Sequence, residues 1–400
     1  MKRLKFIDQF QGEVNMVQVA KTANKVTKKA TLLIKQLLRP AKRYIEEKSP
    51  RNSTTFPIEL QLPITYKCNF DCVMCGMRNL INQDHLSPSE LGNILSDPLF
   101  SKVEHVGING GEPFLRQDLV ECVDAVITSL SELSAIYLIS NGYFTERICK
   151  LLKPIKAHCS SRNIKVNLAL SIDGVGDMQD FMRGKEGSYT AINNTVNALQ
   201  ANLESYCDQL TGICTITKHN IERIGEVELW ASLNQIEVSY NIATEHKRIA
   251  NADKVGSFSI LHDDKAKMLA REFFFKQYHK THNEKYMALF LFLSTGKRMS
   301  SCLYQKCRGV TLNPDGGLAY CATYSDVVGN ACEVSALSLF RSNSHYHDKL
   351  CQQRCSVCSH YMYQLDSVGE YMLVKKKKMN LKNRLYASAV KCLSNSSLEI

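Results

Sequence analysis

Between residues 57 and 245 short β-branched apolar runs alternate with longer stretches whose apolar positions recur at helical spacing. Glu59–Tyr66, Val103–Asn109, Ala135–Ser140, Lys165–Ile172, Gly212–Thr217 and Ile236–Ala243 read as strands, with helices such as Pro88–Leu95 and Leu119–Leu130 between them. Six strands with intervening helices predict a parallel α/β sheet, either open or curled into a partial barrel. In such folds chemistry gathers at the C-terminal ends of the strands, so the residues that follow each strand are the ones to inspect.

The pattern changes outside this stretch. Residues 1–55 read as a separate helical extension in which Lys21, Lys25, Lys28, Lys29 and Lys35 fall in one sector at about 100° per residue, opposite Val19, Ala23, Val26, Ala30, Leu33 and Leu37. Such a basic amphipathic helix suits an anionic membrane surface through residues 14–38, or packs its apolar face on the protein's own body, the reading we favour. Residues 56–250 form the core, 251–300 a helical connector, 301–362 a cysteine-dense module and 363–400 a Lys-rich tail. Within the connector, Phe273, Phe274 and Phe275 read as core. The longest apolar run, Met287–Leu293, is far short of the ~20 residues a spanning helix needs.

Charge sharpens this division. The net charge of +11 concentrates at the ends: the first 51 residues hold 13 Lys/Arg against four Asp/Glu, and Lys375–Lys378 forms a second run. With the middle near neutral, no nucleic-acid partner is expected. Hydrophobic residues at 44% and charged residues at 22% are ordinary for a globular protein and exclude general disorder. The chain has 16 cysteines, and Met1–Phe6 leads into polar residues rather than the apolar core of a secretory signal. A cytoplasmic protein, with a possible peripheral position at the inner membrane face, is expected. There, closely spaced cysteines read as metal ligands or reactive thiols rather than disulfides.

The first strand runs into Cys68-Asn69-Phe70-Asp71-Cys72-Val73-Met74-Cys75. Iron–sulfur clusters are usually held by four thiolates, so three at this spacing leave one iron open. A zinc knuckle, the competing reading, wants a fourth Cys or His at short range, and His85 is ten residues beyond Cys75. The second strand ends in Gly110-Gly111-Glu112-Pro113, where glycines admit a ligand close to the backbone and Glu112 can meet a protonated amine. Strand three ends in Ser140-Asn141-Gly142 and strand four in Ser171-Ile172-Asp173-Gly174, with Arg183 ten residues past Asp173. A guanidinium there suits a carboxylate.

In the CxxxCxxC loop and the Gly-Gly-Glu-Pro turn the chain resembles the radical S-adenosylmethionine (radical SAM) superfamily over roughly residues 57–245. The resemblance implies a partial (β/α)6 TIM-like barrel in which Cys68, Cys72 and Cys75 hold a 4Fe–4S cluster whose open iron binds SAM. It implies further that Gly110, Gly111, Glu112, Pro113, Ser140, Ser171, Asp173 and Arg183 contact the cofactor. Met74 stands where relatives often have an aromatic residue, which loosens the expected contact with adenine. Reduction breaks a C–S bond of SAM and releases a 5′-deoxyadenosyl radical, with flavodoxin or ferredoxin as electron donor.

The C-terminal cysteines are similar to those of the SPASM or Twitch modules of this superfamily, which hold auxiliary 4Fe–4S clusters. Cys307, the Asn313-Pro314-Asp315-Gly316 turn, Cys321 and Cys355-Ser356-Val357-Cys358 supply one set, so Cys307, Cys321, Cys355 and Cys358 are the expected ligands. Cys302 and Cys351 compete, since Cys302-x4-Cys307-x13-Cys321 resembles the first site of two-cluster relatives. A zinc site using His360 is the alternative. SPASM-type modules imply a peptide or protein substrate first and a sugar, lipid-linked or other small metabolite second; a non-catalytic iron–sulfur or zinc protein is a third reading. Cys214 could donate a hydrogen atom to a substrate radical, although a buried core role suits it better. Arg248 and Asn251 follow strand six, where relatives often bind substrate.

Overall fold

The computed structural model describes residues 55–80, 84–300, 302–362 and Leu365, all within the compact unit Ser53–Leu365. The basic N-terminal helix and the Lys-rich tail expected at the ends lie outside the described residues. Six parallel strands run β1 (Glu59–Pro63), β2 (His105–Asn109), β3 (Ala135–Ser140), β4 (Lys165–Ser171), β5 (Gln209–Ile216) and β6 (Val238–Ile242), each paired with the next in chain order. This single direction of winding is the partial barrel expected from the alternation.

Local chemistry explains where the helices start and stop. Helix α1 (Pro88–Leu95) opens with a capping box, Ser87 accepting from the Glu90 amide at 3.3 Å while the Glu90 carboxylate accepts from the Ser87 amide at 2.8 Å. Helices α2 (Leu119–Ser129) and α3 (Thr145–Ser161) follow β2 and β3. After β4 come the short α4 (Asp177–Arg183) and α5 (Ser188–Gln200), and α6 (Ile224–Leu233) connects β5 to β6. The turn of helix α7 (Val255–Phe258) then leads to α8 (Asp264–Thr281) and α9 (Glu284–Thr295). The single helical stretch expected there is broken at His282, which is left-handed at φ 56°, and restarts on the Asn283 cap. Phe273 and Phe274 are buried, as is every residue from Tyr286 to Leu293, so the apolar run is core. No helix among the described residues is long and apolar enough to cross a membrane.

The cysteine-dense segment is continuous with the barrel. Strand β7 (Gly309–Leu312) pairs in parallel with β1, and β8 (Gly317–Ala319) and β9 (Val327–Asn330) extend it antiparallel, giving one nine-stranded sheet in the order β6-β5-β4-β3-β2-β1-β7-β8-β9. The Pro314-Asp315-Gly316 turn closes the β7–β8 hairpin, with Gly316 at φ 86°. Helices α10 (Ala336–Ser342) and α11 (Ser344–Arg354) then deliver Cys355 and Cys358.

Candidate active site

The loop after β1 carries Cys68, Cys72 and Cys75, and its path is dictated from three sides. Past the end of the β1–β2 ladder, the amides of Gly111 and Glu112 donate to the carbonyls of Thr65 and Lys67, both at 2.8 Å. A Cβ on Gly110 or Gly111 would lie 2.4 or 2.1 Å from those carbonyl oxygens, so only glycine lets the two strand-end segments meet. On the second side, Val73 donates to the carbonyl of Met182 at 3.1 Å, and a Cβ on Gly184, the left-handed cap of α4, would lie 2.0 Å from the Asp71 oxygen. On the third, Gly76 donates to Ile249 at 2.9 Å and the Asn251 amide to Met74 at 2.8 Å.

A cavity of about 280 Å³ opens beside this loop, lined by Cys68, Cys72, Cys75, the Gly110–Glu112 turn, Ser140, Ser171 and Arg183. Burial pushes the Cys68 thiol up to about 12 and the Cys72 thiol up to about 11, although Arg183, 3.8 Å from the Cys72 sulfur, works against the latter. The donor set of three thiols, a guanidinium and glycine backbone fits an iron–sulfur cluster with a zwitterionic ligand on it. Among the described residues no three His, Cys, Asp or Glu side chains converge on the geometry of a single metal ion.

Several of the residues expected to contact the cofactor have protein partners of their own. Glu112 is buried, and its carboxylate accepts from the Ser140 hydroxyl at 2.9 Å and the Asn141 amide at 2.7 Å, so it braces the end of β2 against that of β3. Burial pushes it up to about 7 against these hydrogen bonds. Asp173 does not reach the cavity. It is fully buried behind it, ion-paired to Arg183 at 2.8 Å and accepting from the Thr215 amide at 2.6 Å, and so orients the guanidinium. Pro113 is buried as the first residue of a 3-10 turn. Cys214 is buried on β5 next to Thr215, which is the residue that lines the cavity, so strand alternation turns the thiol away. Asn251 is a structural brace: its side chain accepts from the His246 amide and donates to Met74 and Thr244.

Other lining residues drew no notice in the sequence: Phe70, Asn109, Asn141, Thr215, His246 and Tyr361. Asn109 ends an expected strand and Asn141 immediately follows one, which is the signal that could have found them. His246, Tyr361 and the lining residue His360 come from distant parts of the chain.

A second cavity is lined by Cys302, Cys321, Cys351, Cys355 and Cys358, together with Arg298, Tyr304, Tyr324 and His347. Cys307, expected in this set, does not line it. Its residue sits at φ 57° at the end of the Cys302–Cys307 turn and places its sulfur 3.5 Å from His347 Nδ1. Cys302 thus stands among the lining thiols, and Cys307 stands beside His347, itself a lining residue. Burial opposes a charge on His347, yet the thiols of Cys307 and Cys351 raise it to about 9. His360 lines this cavity as well as the first: its amide donates to the Cys358 sulfur at 3.4 Å, and its ring faces His246 edge-on with centroids 5.2 Å apart.

Comparison with known proteins agrees with this geometry. Residues 62–227 match the family described as the Radical SAM superfamily. Among curated relatives, a "Probable GTP 3',8-cyclase" of Methanococcus maripaludis is 28% identical over 173 residues, covering 39% of this chain and 57% of that protein. The chain thus spans just over half the length of that relative. A second protein of that name, from Sulfurisphaera tokodaii, is 22% identical over 300 residues, covering 73% of this chain and 88% of that one. Native anSMEcpe with bound AdoMet and Cp18Cys peptide superposes with a TM-score of 0.55 at 15% identity, over 82% of this chain and 99% of that one. Streptococcus suis SuiB bound to precursor peptide SuiA gives 0.52 at 15% identity, over 76% and 69%. These likenesses establish a shared fold.

Proposed function

Because the chain carries a radical SAM domain, matched over residues 62–227, we propose that it cleaves SAM reductively and uses the resulting 5′-deoxyadenosyl radical to abstract hydrogen from a substrate bound in the cavity. Cys68, Cys72 and Cys75 would hold a 4Fe–4S cluster, which would supply the electron for reductive cleavage of SAM. The backbone of Gly110 and Gly111 receives the amine of SAM, and Ser140 and Ser171 stand at neighbouring strand ends. Arg183, held by Asp173, meets the cofactor's carboxylate with a fixed fork of donors. The observation that carries this reading is that three thiols, the glycine turn and Arg183, separated by up to 115 positions, line one cavity.

Cys302, Cys321, Cys355 and Cys358 hold an auxiliary cluster, with Cys351 as a fifth neighbouring thiol. Each described cysteine is a free thiol, as ligand use in a reducing compartment requires, and we assign the protein to the cytoplasm with flavodoxin or ferredoxin as its reductant. A peptide or protein is the first substrate reading, supported by the peptide-bound proteins that share the fold. A small anionic metabolite is the second, favoured by Arg248 in the cavity, whose Nε and Nη1 are buried with no hydrogen-bond partner among the described residues. Membrane contact through residues 14–38 belongs to the segment outside the described residues.

The test is formation of 5′-deoxyadenosine from SAM by anaerobically reconstituted, reduced full-length protein. Product that disappears in the Cys68→Ala, Cys72→Ala and Cys75→Ala variants is expected. Its absence from iron-loaded wild-type protein would leave only a non-catalytic metal protein.

A further inference from the structure

The cavity has two guanidinium groups, and they are not alike. Arg183 stands beside Cys72 and has Asp173 as its permanent partner. Arg248 also lines the cavity, and its Nε and Nη1 are shielded from water with no hydrogen-bond partner. Among the described residues no carboxylate pairs with it. A guanidinium stays charged, and shielding its donors from water without a partner is unfavourable. Such a cost is ordinarily offset by a ligand.

The surroundings of Arg248 are polar and preformed. His246 and His360 also line the cavity, and each presents an Nδ1 that is buried and unpartnered. Their rings are fixed edge-on at 5.2 Å, and His360 in turn packs against Tyr361 at 4.2 Å. The segment that carries Arg248 is pinned to the cysteine-dense module, Lys247 donating to Thr323 at 2.7 Å and Arg248 to Ala322 at 3.3 Å. The guanidinium therefore stands on the wall where barrel and module meet, with its donors already oriented.

We infer that Arg248 is a substrate-binding residue that receives an oxyanion of the substrate, a carboxylate or a phosphate, with His246 and His360 beside it. This deepens the proposed function by giving its substrate an anionic group, and it rests on the cavity being the place of reaction. A planar fork meets either oxyanion through paired, charge-assisted hydrogen bonds, whereas an uncharged sugar or an apolar side chain leaves the guanidinium uncompensated.

The experiment is calorimetric titration of the unreduced, reconstituted full-length protein with inorganic phosphate and, separately, with succinate, each in the presence and absence of SAM. Wild-type protein is expected to bind at least one probe, and whichever binds more tightly identifies the oxyanion. Arg248→Gln is expected to weaken that probe about tenfold or more, the size of a lost charge-assisted hydrogen bond. Arg248→Lys, which keeps the charge without the fork, should recover part of the loss. Iron content and circular dichroism equal to wild type certify that the variants are folded. Failure of both probes to bind, or equal binding by wild type and Arg248→Gln, overturns the inference. So does a loss of SAM affinity in Arg248→Gln matching its loss of probe affinity, because it reassigns the guanidinium to the cofactor. The titration uses no reductant, so its failure is distinct from a failure to form 5′-deoxyadenosine.

Discussion

Two regions of this molecule gather thiols, and they do so in opposite ways. Cys68, Cys72 and Cys75 lie within eight residues of one loop, and backbone bonds to the glycine turn, the end of α4 and the segment 249–251 fix how that loop runs. The cysteines of the second region come from a turn, the end of a hairpin and the end of a helix, spread over residues 302–358. In the first region short spacing keeps the sulfurs on one braced loop. In the second, the chain between the cysteines brings Cys302, Cys321, Cys351, Cys355 and Cys358 to one cavity and sets Cys307 beside His347.

The comparison breaks or holds most visibly in iron content. Cys302→Ser is expected to lose about four iron atoms per chain from the auxiliary site, as one cluster requires. Cys307→Ser should retain them, its thiol facing His347 instead. Iron analysis of both variants with Cys68, Cys72 and Cys75 intact measures this directly, and the reverse result restores the ligand set read from spacing.

A smaller effect sharpens the account of the first region. Asp173→Asn removes the buried partner of Arg183 and is expected to lower stability by about 3 kcal/mol, the cost of leaving one member of a buried pair alone. It should also weaken SAM binding, since the guanidinium loses its orientation. Denaturation together with a SAM titration reads both, and a variant with wild-type affinity would show that Asp173 does not position Arg183.

The smallest effect lies far from either set of thiols and tests the barrel itself. Asp208 accepts from the Val166 amide at 2.9 Å and pairs with Lys156 at 2.6 Å and Lys165 at 3.0 Å. Burial alone would raise it, but these partners bring it down to about 2 from an ordinary value near 3.8. A depressed carboxylate stabilises the fold fully above its unfolded value and ceases to do so as pH falls through about 2. Asp208→Asn is therefore expected to cost about 1 kcal/mol at pH 7, with the difference shrinking between pH 4 and 2. Urea midpoints across that range provide the check.

How much was legible depended on distance along the chain. The six strands were, because each is a local apolar run whose burial in a sheet is independent of the order of its neighbours. The residues at strand ends were also legible, but the partners of their side chains were not. Glu112, read as a cofactor contact, spends its carboxylate on Ser140 and Asn141, and Asp173 spends its own on Arg183 and Thr215. A side chain's identity says what it can bond to, whereas the register of the sheet decides which partner arrives. Cys214 and Thr215 make the point with adjacent residues, since strand alternation puts only the second in the cavity.

By itself, the amino-acid sequence determined the parallel α/β core, the three-thiol loop and the glycine turn at the end of the second strand. These rest on steric and periodic constraints that operate within a few residues. Only the tertiary structure placed Cys302 among the lining thiols, paired Asp173 with Arg183, and set Arg248 beside His246 and His360 with no carboxylate partner among the described residues. Those outcomes join residues from tens to over a hundred positions apart, Arg183 and Cys72 being separated by 111. No local rule links them, because strand pairing and the attachment of β7 to β1 bring them together.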